Sequence, residues 1–254
     1  MIPRRLGSTG YLLAPIGFGS FKIGRNEGIK YAQGYDLPDQ RAVAALVDGL
    51  LGLGINWFDT APAYGLSEER LGATLAGRRD AVVLSTKVGE RFAGGRSHYD
   101  FSPAAITASL ESSLARLRTE RVDLLFVHSD GRDVEILRGP TTEAMRTLQS
   151  RGLTRRIGFS GKTAEGFHLA MQSGYEVLMV EYHEADPSMA PVLEEAARRG
   201  IGVVVKKALA SGRLDPRTAI PFALAGPGVA SVALGGLRLE HFAEAVRLTE
   251  EADA

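Results

Sequence analysis

The sequence predicts an α/β protein, a (β/α)8 (TIM) barrel preceded by an N-terminal β-hairpin, and three observations lead to this prediction. Short apolar runs recur along the chain, and each is followed by apolar residues at helical spacing. The runs are almost continuously apolar, which indicates strands buried on both faces and therefore a parallel sheet covered by helices. The length of 254 residues suits one such barrel. A doubly wound open sheet is the alternative.

The first elements are a hairpin, a strand, a loop and a helix. Residues 5–13 form two extended pieces around a Gly-Ser-Thr-Gly turn, which is typical of a hairpin. Residues 16–20 form a short strand whose glycines allow another group to approach the backbone closely. Residues 24–38 are polar without a period and predict a long loop. Residues 42–51 have helical spacing and are followed by glycines that end the helix.

The rest of the chain alternates between strands and helices in the same way. Ser102 and Pro103 are a typical N-cap and first-turn proline for one of these helices. The further strands are predicted at 55–58, 81–87, 122–128, 156–160, 177–181, 201–205 and 229–234. The further helices are predicted from Ser67, from Ser102, and at 142–149, 164–172, 191–199, 216–224 and 239–249. Without a linker or a change in composition, we expect residues 1–254 to form a single domain.

Composition excludes several classes of function. The 30 Lys and Arg residues balance 30 Asp and Glu residues, which argues against a nucleic-acid partner. There are no cysteines, so disulfides, thiolate metal sites and cysteine nucleophiles are excluded. We expect no metal site, because the histidines lack metal-binding spacing. The start of the chain is unlike a signal peptide and no apolar stretch reaches the length of a membrane span. We therefore expect a cytoplasmic protein, either a monomer or a homo-oligomer.

Four titratable residues follow the ends of three consecutive strands: Asp59, Tyr64, Lys87 and His128. The C-terminal ends of barrel strands carry the chemistry of such folds, and neighbouring strands bring these side chains together. A buried lysine is costly unless it is paired, and Asp59 on the adjacent strand is its expected partner. Each residue alone also has a structural interpretation, namely a turn cap, a packed tyrosine, a solvated lysine or a hydrogen-bonded core histidine.

Together these four residues suit proton transfer to a developing alkoxide. An ammonium beside a phenol lowers the phenol's pKa, so Tyr64 could give a proton near neutral pH while His128 orients or relays it. The hydride for reduction of a carbonyl must come from a cofactor. Residues 17–22 lack the third glycine of a dinucleotide-binding fingerprint, and Arg156 stands where a Walker loop before Gly161 needs a glycine.

The motifs that contain these residues resemble those of the aldo-keto reductase family, as in a short bacterial-type member. The resemblance runs from about Arg5 to the end of the chain. It implies a (β/α)8 barrel that binds NAD(P)H in extended form and reduces an aldehyde or ketone. Tyr64 would be the general acid, Lys87 would lower its pKa, Asp59 would anchor Lys87 and His128 would orient the carbonyl. The matching segments are Asp59 to Gly65, Ser85 to Lys87, Leu125 to Ser129, Gly17 to Gly19 and Ile157 to Ser160.

The same resemblance implies a cofactor site, in which some positions differ from the family's pattern. Gly161 and Met179 replace an asparagine and a glutamine that grip the nicotinamide carboxamide beside Ser160, and Lys206 replaces a stacking aromatic residue. Lys206 and Lys207 are interpreted either as rim charges or as phosphate ligands. The implied cofactor-binding residues are Gly19, Ser20, Phe21, Ser160, Gly161, Met179, Lys206, Lys207, Leu209, Ser211, Gly212, Gly235, Arg238, His241 and Glu244.

NADPH is the expected cofactor, with NADH possible. Within the last loop, Arg238 is the candidate for a 2′-phosphate and Glu244 for the adenine. The substrate is expected to be a small carbonyl compound, bound between residues 21–35 and 92–101. The predicted lining residues are Asn26, Phe92, His98 and Phe101.

Two other functions are compatible with the sequence. The altered carboxamide positions suit a nucleotide-sensing regulator that resembles a reductase but turns over little. A phosphate-binding barrel lyase or isomerase would use Lys87 and the carboxylates without nicotinamide.

Overall fold

The computed structural model describes residues 1–29 and 34–252. Residues 30–33 of the predicted substrate-binding segment 21–35 lie outside the described residues. The strands in chain order are β1 Arg4–Arg5, β2 Leu12–Leu13, β3 Ile16–Gly19, β4 Trp57–Asp59, β5 Val83–Val88, β6 Glu90–Ala93, β7 Arg96–Tyr99, β8 Val122–His128, β9 Thr154–Ser160, β10 Val177–Glu181, β11 Gly202–Lys206 and β12 Val229–Leu234. The α-helices are α1 Phe21–Gly24, α2 Gln40–Gly52, α3 Ser67–Thr74, α4 Pro103–Leu117, α5 Asp133–Arg138, α6 Thr141–Ser150, α7 Ala164–Gln172, α8 Ala190–Arg198, α9 Pro216–Leu224 and α10 Leu239–Ala252.

In the described part of the chain, eight of these strands close into a parallel barrel in the order β3, β4, β5, β8, β9, β10, β11 and β12. The barrel closes where β12 pairs with β3, with Val232 opposite Ile16. An antiparallel pair of β1 and β2 precedes it, with Arg4 opposite Leu13. The predicted (β/α)8 barrel with an N-terminal hairpin is therefore confirmed, and the open doubly wound sheet is excluded.

Apolar side chains fill two regions of the core. Helices cover the outside of the barrel, and buried residues such as Val43, Leu110 and Phe159 form the layer between helices and strands. A second cluster holds side chains such as Trp57 and Phe126, together with hairpin residues including Leu6. The hairpin thus joins the apolar packing of this second cluster, while polar residues gather at the C-terminal ends of the strands. In β4 and β5 these are Asp59 and Lys87.

Side chains cap the start of several helices, and the cap predicted at Ser102 is confirmed. Ser102 Oγ accepts a hydrogen bond from the Ala105 N–H at 3.3 Å, and Pro103 is the first residue of α4. Asp39 caps α2 in the same way, accepting from the Ala42 N–H at 2.7 Å. Such caps each stabilise a helix by about 1 kcal/mol, because they satisfy backbone donors that have no partner inside the helix.

The hairpin of β6 and β7 was not predicted from the sequence. It follows β5 directly: Gly89 has a φ of 98°, a conformation that favours glycine, and the chain then turns back on itself. Gly94 and Gly95 form the turn with φ values of 59° and 74°. Their two-residue Gly-Gly turn is the signal that could have revealed the hairpin. The short helices α1 and α5 were also missed.

Among the described helices, none is both long and apolar enough to cross a membrane.

Candidate active site

A cavity of about 480 Å³ lies among the C-terminal ends of the barrel strands and the β6–β7 hairpin. Side chains from several strand ends and their following loops line it, as expected for this fold. All four residues predicted to be catalytic line this cavity: Asp59, Tyr64, Lys87 and His128. Strand pairing explains their convergence, since β4 pairs with β5 and β5 pairs with β8.

Lys87 is the centre of the hydrogen-bond network. Its Nζ donates to Asp59 Oδ2 at 2.5 Å and to the Thr60 carbonyl oxygen at 2.9 Å. Tyr64 is its third polar neighbour, and the Lys87 Nζ lies over the Tyr64 ring. Lys87 is 1% exposed and Asp59 is 3% exposed. Burial acts to lower the pKa of Lys87, but Asp59 and Tyr64 outweigh burial and raise it, so the side chain stays an ammonium.

The other oxygen of the Asp59 carboxylate is held from inside the barrel. Ser85 lies opposite Asp59 in the register of β4 and β5, and its Oγ donates to Asp59 Oδ1 at 2.7 Å. Trp57 Nε1 donates in turn to Ser85 Oγ at 3.0 Å. Both carboxylate oxygens therefore accept hydrogen bonds, which fixes the position of the Lys87 ammonium.

Tyr64 follows β4 in a short 3-10 turn, Pro62–Tyr64. The Lys87 Nζ lies 4.8 Å from the centroid of its ring. Contrary to the sequence-based expectation, the pKa of Tyr64 is raised: burial disfavours the phenolate more than the nearby Lys87 charge favours it. The phenol therefore holds its proton and can act as an acid.

His128 ends β8 and lies edge-on to Tyr64, with ring centroids 6.3 Å apart. Its Nδ1 is 2.8 Å from Oε2 of Glu90, a residue of the hairpin. The oxygen lies off the direction of the ring N–H, so distance and charge describe this contact better than a linear hydrogen bond. Burial lowers the pKa of His128, Glu90 acts against burial, and the charges of Lys87 and Lys206 add to the lowering.

The model of the aldo/keto reductase family matches residues 15–226, which is most of the barrel. The chain belongs to the aldo/keto reductase family. Its members are oxidoreductases that use nicotinamide cofactors, and the site described above has the tyrosine, lysine, aspartate and histidine that the sequence motifs imply.

Similar proteins include family members of known structure and curated enzymes. The chain superposes on a Pseudomonas aeruginosa protein described as an aldo-keto reductase with a TM-score of 0.91, 40% identity, and coverage of 99% of this chain and 95% of that one. The chain also superposes on the holo form of an aldo-keto reductase from Bacillus halodurans with a TM-score of 0.85 and 26% identity. This match covers 98% of this chain and 91% of that one. L-galactose dehydrogenase of Arabidopsis thaliana is 30% identical over 223 residues, 83% of this chain and 66% of that protein. The chain thus spans about two thirds of that plant enzyme.

The structure brings most of the residues implied for the family's cofactor site into the cavity. Those that line it are Gly19, Phe21, Ser160, Met179, Lys206, Lys207, Leu209, Ser211, Gly212 and Gly235. Ser20 lies behind the wall instead: it is buried, and its Oγ donates to the Asp59 carbonyl oxygen at 2.7 Å. Its contacts support β4 rather than a ligand in the cavity.

The two adjacent lysines after β11 have different surroundings. Lys206 Nζ donates to Ser160 Oγ at 2.9 Å and to the Gly161 carbonyl oxygen at 3.0 Å. It therefore joins the ends of β9 and β11. Burial lowers the pKa of Lys206 to about 7, and the charge of Lys207 contributes further. Lys207 is exposed and forms an ion pair with Glu181.

Gly161 has no space for a side chain. A Cβ there would lie 2.6 Å from the ring of Phe159 and 3.0 Å from Oδ2 of Asp133. Asp133 is buried and also accepts hydrogen bonds from the N–H groups of Lys162 and Thr163, each at 2.7 Å. This carboxylate therefore holds the loop after β9 in place.

The residues implied for the adenosine end lie outside this cavity, at the start of α10. Arg238 is exposed and 3.5 Å from Glu240, and His241 is exposed beside them. Glu244 lies 3.8 Å from Arg217 of α9. Cofactor binding at these positions stays a prediction.

The four residues predicted to contact substrate are not brought to the cavity wall. Asn26 donates to the Tyr35 carbonyl oxygen at 3.2 Å, and His98 contacts the Ala93 carbonyl oxygen at 3.2 Å. The Arg25 Cζ lies over the Phe92 ring, 3.3 Å from the ring centroid, and Phe101 stacks on Tyr99. These contacts support the hairpin and the neighbouring loop, because each side chain is used within them.

Other residues of the same two segments line the cavity and were missed, namely Lys22, Arg25, Gly28, Ser97 and Tyr99, and so was Glu90 just before the second segment. The hairpin contributes Glu90, Ser97 and Tyr99 because Glu90 lies opposite Tyr99 in its register, which places these polar side chains together. Within the described residues, no group of three or more His, Cys, Asp or Glu side chains could hold a metal ion.

Proposed function

We propose that this protein is a nicotinamide-dependent oxidoreductase that interconverts carbonyl compounds and alcohols. In the reductive direction it would convert an aldehyde or ketone to an alcohol. The observation that carries the proposal is the buried Lys87, which donates to Asp59 and lies 4.8 Å from the centroid of the Tyr64 ring, in a cavity that His128 also lines. A purely structural ion pair would not need the phenol of Tyr64 and the imidazole of His128 in the same cavity.

Each side chain has a role that follows from its surroundings. Reduced nicotinamide, when bound, supplies the hydride to the carbonyl carbon. Tyr64 holds its proton until negative charge develops on the substrate oxygen, and the Lys87 ammonium stabilises the phenolate that remains. Asp59 and the Thr60 carbonyl keep that ammonium in place. His128 lies beside Tyr64 and is suited to orient the substrate oxygen.

The charge of the cavity suits an anionic dinucleotide. The chain as a whole is neutral, yet the cationic side chains that line the cavity outnumber its two carboxylates, Asp59 and Glu90. A cleft lined by one sign of charge attracts a ligand of the opposite sign. The cations are Lys22, Arg25, Lys87, Lys162, Lys206 and Lys207.

We propose NADPH as the preferred cofactor, with NADH as the alternative. Arg238 and its neighbours on α10 would bind the 2′-phosphate and adenine, and Lys206 would contact the nicotinamide carboxamide in place of the missing asparagine and glutamine. Support comes from the contact of Lys206 with Ser160.

For the substrate we propose a small carbonyl compound, with hydroxylated aldehydes and their alcohols as the first candidates. The similar D-threo-aldose 1-dehydrogenase of Pseudomonas is 28% identical over 235 residues, 82% of this chain and 69% of that protein. Its name, like that of the plant L-galactose dehydrogenase, refers to a sugar. The hydroxyl groups of Ser97 and Tyr99 on the cavity wall could bind substrate hydroxyls.

Fluorescence titration with NADPH and NADH, followed by assays with a panel of aldehydes, ketones and sugars, tests this function. We expect tighter binding of NADPH and turnover of at least one class of carbonyl. Absence of any nicotinamide binding would overturn the proposal and favour a lyase or isomerase.

A nucleotide-binding regulator with little turnover is the second candidate. The observation in its favour is the replacement of the family's carboxamide-binding residues by Gly161 and Met179. Binding of NADPH without turnover across the whole panel would favour the regulator, whereas turnover that depends on Tyr64 would exclude it.

A further inference from the structure

The β6–β7 hairpin places the carboxylate of Glu90 against His128. Glu90 accepts a hydrogen bond from Ser97 Oγ at 2.6 Å through Oε1, and its Oε2 faces His128 Nδ1 at 2.8 Å. Tyr99 lies opposite Glu90 in the register of the hairpin. The Glu90 side chain is 10% exposed and the His128 side chain 20% exposed, so solvent screens this contact only in part. Glu90 is absent from the set of four residues predicted from the sequence.

The contact decides which ring nitrogen carries hydrogen. Burial acts to raise the pKa of Glu90, but its polar neighbours His128, Ser97 and Tyr99 lower it to about 2, so Glu90 is a carboxylate. Although Oε2 lies off the N–H direction, a carboxylate 2.8 Å from Nδ1 is attracted by an N–H dipole there and repelled by a bare nitrogen, so the contact favours hydrogen on Nδ1. Nε2 is then the nitrogen available to a ligand in the cavity.

Neutral His128 in this tautomer could only accept a hydrogen bond through Nε2. A carbonyl oxygen is also an acceptor, so it can bind at Nε2 only when the ring carries a second proton. A carboxylate beside Nδ1 stabilises that doubly protonated imidazolium, because opposite charges at this distance attract.

We propose that Glu90 is a positioning residue which keeps hydrogen on His128 Nδ1 and stabilises the imidazolium whose Nε2–H binds the substrate carbonyl oxygen. The proposal rests on the carbonyl oxidoreductase function proposed above. In reduction, the hydride forms the new C–H bond, Tyr64 delivers the proton to oxygen, and the His128 N–H stabilises the negative charge on that oxygen during the step.

Apart from Glu90, the charged and titratable groups around His128 do not stabilise its doubly protonated form. They come from the loop after β4, from β5, from the hairpin and from β11, and they are Tyr64, Lys87, Tyr99 and Lys206. Both lysines disfavour a further positive charge, as does burial. Glu90 is the carboxylate that opposes them, so its removal should make His128 harder to protonate.

Nitrogen-15 NMR of histidine-labelled protein tests the pair without any need for activity. The chain has five histidines, and His128→Gln assigns the signals of interest. In the wild type, neutral His128 should carry its hydrogen on Nδ1. In Glu90→Gln the titration midpoint of His128 should fall by roughly one to three pH units, with partial recovery in Glu90→Asp. Arg91→Gln, at the exposed next position of the same strand, is the matched control and should leave the midpoint unchanged.

The pH profile of kcat/KM for aldehyde reduction gives the second readout. The limb in which activity falls with rising pH should move to lower pH in Glu90→Gln and should stay in place in Arg91→Gln. Hydrogen on Nε2 of neutral wild-type His128, or an unchanged midpoint in Glu90→Gln, would overturn the pair itself. A shifted midpoint with an unshifted kinetic limb would overturn its role in the reaction. If the NMR results hold but no carbonyl is reduced, the proposed function fails while the pair stands.

Discussion

The Lys87 ammonium lies 2.5 Å from the Asp59 carboxylate, and both side chains are almost fully buried at the C-terminal end of the barrel. Removing two charges from water costs several kcal/mol per ion, and the attraction between them recovers this only with good geometry and further hydrogen bonds. The site supplies those bonds through Thr60 and Ser85. The pair thus holds the Lys87 ammonium beside Tyr64, and the stability of the fold is sensitive to mutation of either partner.

Asp59→Asn should destabilise the fold by roughly 3–5 kcal/mol, because it leaves the buried Lys87 ammonium without its carboxylate. Urea denaturation followed by circular dichroism measures the loss. The double variant Asp59→Asn/Lys87→Met should recover much of it, since no charge then stays buried.

The exposed pair of Arg78 and Asp48 is the matched control for this prediction. Its N–O distance is also 2.5 Å, but its side chains are 34% and 59% exposed. Asp48→Asn should therefore cost no more than about 1 kcal/mol. Equal losses in the two variants would contradict the importance of burial.

Lys206→Met should change how stability depends on pH. The pKa of Lys206 is lowered from 10.5 to about 7 in the folded chain, so between these values the unfolded chain binds more protons and the wild type gains stability as pH rises. The variant should therefore be stabilised relative to the wild type below pH 7, with an advantage that shrinks toward pH 10.

Free energies of unfolding at several pH values between 6 and 10 measure this difference. Lys207→Met, a change at the exposed neighbour, shows the effect of removing a positive charge from the same strand end. A difference between Lys206→Met and the wild type that does not vary with pH would contradict the prediction.

Gly161→Ala should destabilise the loop after β9 by about 1–3 kcal/mol, because its Cβ would lie 2.6 Å from the Phe159 ring. Gly52→Ala is the control: nothing lies within 4 Å of a Cβ there, and alanine favours the end of α2. Thermal denaturation should show a lower Tm for the first variant and an equal or higher one for the second. A stable Gly161→Ala would show that this glycine is not imposed by packing.

Much of the barrel could be predicted from the sequence for a clear physical reason. Strands buried on both faces are apolar throughout, so a polar residue at the end of such a run stands out. Asp59, Lys87 and His128 are residues of this kind, and the pairing of β4, β5 and β8 was enough to bring them together.

The part of the site that the β6–β7 hairpin forms could not be predicted in the same way. Glu90 belongs to a half-exposed polar hairpin without apolar alternation, and only the Gly94-Gly95 turn indicates its presence. The direction in which Phe92 points depends on the distant Arg25 rather than on local periodicity. The raised pKa of Tyr64 likewise depends on how deeply the ring is buried, which the spacing of motifs does not reveal.

Tyr64→Phe tests the central claim most directly, through parallel measurements of NADPH binding and aldehyde reduction. The hydroxyl group is lost while the ring keeps its edge-on contact with Phe21, so cofactor affinity should be nearly unchanged. Turnover should fall by about 10²–10⁴-fold, the usual contribution of a general acid. Tyr175→Phe removes a buried hydroxyl group in the core and should retain turnover. Reduction by Tyr64→Phe at the wild-type rate would contradict the assignment of Tyr64 as the proton donor.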